Sequence, residues 1–235
     1  MKHKFLFSFI LISTNLLSQN TRSEIVYKIS PIHFEMPQQA DAETKASFEK
    51  IIEFAENQTF TLEFNSHQSK FTLNEFISPQ MSDEDTKFYN NMACFRFTSE
   101  WSEYHLDKSN NEEYFKQFDG TIIKNKAEPI NWEISTESKT ISNYKTYKAI
   151  YNMPFTARDG KTKIRKITAW FAPELPYSYG PKQFHGLPGL ILELQEKETV
   201  YYVSKLNLDS KNTVEISFPK GKTITMDEFI NGISK

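Results

Sequence analysis

The chain has 235 residues, 28 Lys and Arg against 30 Asp and Glu, and a single cysteine. Near-balanced charge excludes the strongly basic surface that nucleic-acid or anionic-membrane binding relies on. One cysteine excludes a disulfide framework, so a hydrophobic core must supply the stability, and the length suits one sizeable domain.

At the N-terminus, Lys2 and Lys4 precede the eight-residue apolar run Phe5 to Ile12 and a polar-to-small stretch, Ser13 to Ser18. Eight helical residues rise about 12 Å, well short of the roughly 30 Å hydrocarbon core. The pattern predicts an export signal over residues 1–18 and no membrane span. Residues 19–235 are then expected to form one β-rich domain, periplasmic or extracellular. Loss of Lys2 and Lys4 leaves 26 basic residues against 30 acidic ones, a net charge of −4.

Phe and Tyr together number 31, and such residues favour a pleated, half-buried surface. Ile25, Tyr27 and Ile29 alternate with period two. Residues 42–56 instead place Phe48, Ile51, Ile52 and Ala55 on one helical face, with Glu49, Lys50, Glu53 and Glu56 outside. Phe60, Leu62 and Phe64 form the next strand pattern, followed by Phe71 and Leu73 beyond the polar turn Asn65 to Gln68. Stretches 78–92 and 105–130 are polar and carry no decisive period. Between them Cys94, beside Phe95 and Phe97, reads as a small buried apolar residue, with a reactive or bridging thiol as the other reading.

Trp132 and Ile134, then Tyr144 to Tyr151, then Ile164 to Phe171 continue the strand signal, with Asp159-Gly160 as a hairpin turn. Leu190 to Gln195, Thr199 to Leu206 and Thr213 to Phe218 read as three further strands. Thr225 to Glu228 is a capping box opening a helix of about two turns. The expected fold is mainly β: an antiparallel, curved or partly closed meander sheet with one packed helix (about 42–56) and a short C-terminal helix.

Pro173 to Gly189 holds four of the ten prolines and three of the seven glycines. Pro173 and Pro176 stop the strand ending at Phe171, because proline cannot donate to a ladder. Gly180-Pro181 marks a second turn. In Leu187-Pro188-Gly189-Leu190 the order of proline and glycine predicts a type II turn. Two readings of the segment stand: a rigid connection between strands, or a loop that docks a ligand or partner.

These residues resemble a known family. Trp170-Phe171, Pro176, Gly180, Pro181, Phe184 and the run Gly186, Leu187, Pro188, Gly189, Leu190, Ile191 are similar to the signature of the GLPGLI family of exported Bacteroidetes proteins, also grouped by similarity to a Porphyromonas protein. Trp132, Ile134, Ile141, Tyr144, Lys148 and Ala149 resemble its strand-turn-strand lead-in. The family pattern has glycine before the tyrosine, where this chain has Asn143, a residue that also tolerates left-handed backbone. Where cysteine often follows in the family, this chain has Thr146. The resemblance implies a bacterial envelope or extracellular setting and no particular activity.

No nucleophile elbow, zincin motif or phosphate-binding glycine loop occurs. His33, His67, His105 and His185 are scattered, so no catalytic residue, metal ligand set or cofactor is assigned. The leading expectation is a non-enzymatic binding or accessory module. Its candidate binding residues are Trp170, Tyr177, Tyr179, Phe184 and His185, lining a surface for an unidentified protein, peptide or apolar ligand. One alternative is an enzyme or maturation factor in which His185 works with Glu174 or Glu193. Another is a metal-handling envelope protein.

Overall fold

The computed structural model describes residues 22–32, 39–98, 101–157, 160–210 and 215–233. The expected signal segment, His33, Asp159 of the hairpin pair and Thr213-Val214 lie outside the described residues.

Among the described residues, twelve strands form one open sheet. In chain order they are β1 (Arg22–Pro31), β2 (Thr59–Phe64), β3 (Gln68–Asn74), β4 (Trp101–Asp107), β5 (Glu112–Gln117), β6 (Ile122–Lys126), β7 (Glu133–Ile141), β8 (Tyr144–Thr156), β9 (Thr162–Ala172), β10 (Leu190–Glu196), β11 (Thr199–Ser210) and β12 (Thr223–Ile224). Strands β2 to β6 run as one meander and β7 to β11 as another. Strand β1 joins them, pairing antiparallel with β2 on one side and β11 on the other. Short β12 adds in parallel to β6, and the remaining pairings are antiparallel. The sheet does not close into a barrel, since β12 and β7 stand at opposite edges.

The period-two reading holds at the centre. Ile25, Tyr27 and Ile29 are buried, and β2 alternates with Phe60, Leu62 and Phe64 inside. Tyr27 has no exposure and donates its hydroxyl to the Ile191 carbonyl at 2.6 Å. That bond ties the central strand to the Pro/Gly-rich region and satisfies a polar group that would be costly to bury alone. Ring contacts Phe60–Phe71, Phe60–Tyr201 and Phe71–Tyr104 carry the same core outward across the sheet.

Helix α1 (Ala42–Asn57) starts at Asp41, whose side chain accepts from the Thr44 amide at 2.7 Å. It buries Ile51, Phe54 and Ala55 and packs on β1 and on α2 (Asp83–Phe97). Composition hid this second helix, because Phe88 and Phe95 point outward and break the apolar stripe. Its N-terminal signal is nevertheless present: Ser82 caps the Asp85 amide, with Asp83, Glu84 and Asp85 in the first turn, where carboxylates favour the helix dipole. The polar stretch 105–130 contains the end of β4 and all of β5 and β6, whose outward residues masked the alternation. The expected strand at 213–218 is corrected: described residues 215–218 form no strand. Helix α3 (Met226–Ile233) follows the Thr225 cap, whose hydroxyl accepts from the Glu228 amide at 3.2 Å.

Candidate functional site

The Pro/Gly-rich segment after β9 folds into consecutive tight turns, its amides returning to Ala172, Leu175, Tyr177 and Ser178 carbonyls. The Gly189 amide bonds the Leu187 carbonyl at 2.8 Å, and the Leu190 amide bonds Leu175 at 2.9 Å. This is a three-residue turn centred on Pro188, and it corrects the four-residue type II turn expected from sequence. Drawing the Leu190 amide across to Leu175 leaves no donor to close the wider turn.

The five candidate binding residues separate. Tyr179 and Phe184 are buried at 2% and 1% exposure and belong to the core. Tyr177 and Tyr179 pack on Phe64 with ring centres 4.9 and 5.2 Å away. Trp170 alternates away from buried Ala169 and Phe171, so it lies on the opposite sheet face. There Lys139 sits 4.4 Å from its ring centre and bonds Glu193 at 2.7 Å. His185 is partly buried, and its carbonyl accepts from the Trp132 indole at 2.8 Å. Burial, aided by the positive charge of Lys108, lowers the His185 pKa to about 4. Neither Glu174 nor Glu193 pairs with His185 among the described residues. The carboxyl that shares its surroundings is Glu113, pushed up by burial to about 7. Both line a small cavity of about 10 Å³, room for a single water. The unpartnered Tyr179 hydroxyl and Gln183 Oε1 belong to residues lining that same cavity.

Of the motif residues, Gly180, Pro181, Leu187, Gly189, Leu190 and Ile191 are buried, whereas Gly186 and Pro188 are exposed. The hairpin lead-in also fits: Asn143 takes φ +69° between β7 and β8, and Thr146 is fully buried with its hydroxyl on the Lys139 carbonyl. Cys94 is buried against the Gln58 amide, and burial raises its pKa, which disfavours the reactive thiolate. Among the described residues, no three His, Cys, Asp or Glu groups come together as a metal ligand set.

A larger concavity lies on from the small cavity, sharing Lys182 and Gln183 with it, and sequence reading missed it. An open cleft of about 610 Å³ is walled by Trp101, Phe115, Met226 and Phe229. Trp101 holds the wall together, its ring 5.7 Å from Phe115 and 5.4 Å from Phe229 of α3. On the other side stand Lys182, Gln183, Arg165 and Glu196. The side chains of Lys182 and Glu196 are 6% and 7% exposed and form an ion pair. Arg165 Nη1 reaches the second oxygen of Glu196 at 2.9 Å. Burial alone would raise the Glu196 pKa, but the two cations outweigh it and the net shift is downward. Lys182 takes φ +58° within the motif segment, so the turn itself delivers this cation into the cleft.

A family model described as a protein of unknown function (Porph_ging) matches residues 156–193. That stretch runs from the end of β8 through β9 and the turns into β10, and it supports a Porphyromonas-type family. No curated protein matches the chain. Structures of PNGF-II in the P21 and C2 space groups are similar, with TM-scores of 0.54 and 0.51 and 16% identity each. The match covers 92% of this chain and 33% of the PNGF-II chain, so this chain spans about a third of its length. At that identity the likeness is one of fold.

Proposed function

We propose that this chain is an exported envelope protein of the GLPGLI type that acts as a binding or accessory module, with its ligand in the cleft beside Lys182. The observation that carries the reading is the pairing of an aromatic wall, half-buried Trp101 and Phe229 with buried Phe115, with a buried charged cluster in one open concavity. Apolar walls with a few placed polar groups are the usual make-up of ligand sites. In this reading the Pro/Gly-rich segment serves binding indirectly: its core aromatics fix the turns, and the turns present Lys182 and Gln183. The GLPGLI assignment rests on the motif residues Gly186 to Ile191 and on the lead-in residues Trp132, Ile134, Ile141, Tyr144, Lys148 and Ala149. Export rests on the basic and apolar pattern of residues 1–18.

The test is an NMR titration of the chain with Nile red, a neutral apolar probe. A one-to-one end point with shifts at Trp101 and Phe229 is expected. Shifts confined to Trp170 and Tyr177, or no saturable binding, would overturn the assignment of the cleft.

A further inference from the structure

The charges in the cleft do not balance. Lys182 and Arg165 both contact Glu196, which leaves an excess of one positive charge in this three-residue cluster; of the other charged lining residues Arg96 pairs with Glu198, and Lys197 adds a further cation. Taking an ion out of water costs several kcal/mol unless an opposite charge and hydrogen bonds replace the lost hydration. Lys182 is almost entirely removed from solvent, and it is held between the rings of Tyr104 and Tyr201, 6.0 and 5.8 Å away. Arg165 differs. Its side chain is 24% exposed, and one guanidinium nitrogen goes to Glu196 at 2.9 Å. A guanidinium carries further N–H donors in a planar fork suited to a second carboxylate. The fork lines the same cleft as Trp101 and Phe229.

Resting on the reading of this cleft as a binding site, we propose that its ligand is an amphipathic monocarboxylate, with its acid group on Arg165 beside Lys182 and its apolar body against Trp101, Phe115 and Phe229. A single negative charge neutralises the cluster, and a cationic ligand would add to its excess. Two sources share this chemistry, a fatty acid and the free C-terminus of an apolar peptide.

Calorimetric titrations with octanoate, octanamide, the peptide Ala-Ala-Phe and its C-terminal amide separate the possibilities, with Trp101 fluorescence followed in parallel. At least one acid is expected to bind about tenfold more tightly than its own amide, as a charge-assisted hydrogen bond implies. The acid that shows the preference identifies the source. Arg165→Gln should remove the preference while the weaker amide binding persists. Should that variant not fold, Arg165→Lys keeps the charge, loses the fork and should retain only part of the preference. Equal affinity of acid and amide, with the Trp101 response intact, would overturn the charge assignment and leave the cleft in place. Silence of Trp101 toward all four compounds and Nile red would overturn the cleft as well.

Discussion

Three glycines of the motif region do different physical work, and alanine scanning separates them. A Cβ at Gly189 would lie 2.3 Å from the Ala172 carbonyl oxygen, backbone that cannot move without unpairing β9 from β10. Gly189→Ala is expected to cost about 3 kcal/mol or more, as forced overpacking does. At Gly180 the nearest atoms are Ile191 Cδ1 at 2.6 Å and Ile191 Cβ at 2.8 Å, partly a side-chain clash. About 2 kcal/mol is expected there. Gly186 meets nothing within 4 Å and is strained only through φ +91°, so Gly186→Ala should cost about 1 kcal/mol. Chemical denaturation of the three variants checks the order. A Gly186 variant as damaged as the Gly189 one would show that these approaches are misjudged. The sequence predicts a type II turn here; the structure places the need for glycine at the neighbouring strand instead.

Between the turn-rich segment and strands β4 and β5, His185 and Glu113 titrate in opposite directions. The His185 pKa falls from 6.5 to about 4, so over that range the unfolded chain binds the extra proton and acidification destabilises the fold. The Glu113 pKa rises from 4.5 to about 7, so the folded chain holds the extra proton and rising pH destabilises it. The two slopes oppose one another between pH 4.5 and 6.5. Melting temperatures of Glu113→Gln should therefore climb with pH through that range. Those of His185→Gln should decline toward pH 7, leaving the wild type the flattest of the three. Identical profiles for all three proteins would remove both groups from the account. Neither shift was legible in sequence, because each comes from burial that only the folding of a loop over distant strands creates.

At the scale of the molecule, the sheet is two meanders hinged on one N-terminal strand. Strand β1 must pair with β11 near the far end of the chain, Arg22 opposite Ser210, before the halves share a core. Native-state hydrogen exchange should thus find β1, β2 and β11 exchanging together and last. Two-residue β12 at the edge should exchange first. Early exchange of β1 would show that the meanders are stable separately.

The local pattern of residues was enough to identify the central strands, α1, the C-terminal cap, the hairpin residue Asn143 and the importance of the glycine-rich turns. Each of these rests on period, capping or backbone stereochemistry, which act over a few residues. The cleft itself was not legible, although Lys182 and Gln183, which line it, sit among the aromatics of the motif segment. Tertiary structure decided the rest. It sent Tyr179 and Phe184 into the core, turned Trp170 to the other face and brought Arg165, Lys182 and Glu196 onto one cluster from three places in the chain. Long-range pairing sets which face a side chain takes and which charges meet, and no periodicity of a single segment encodes that.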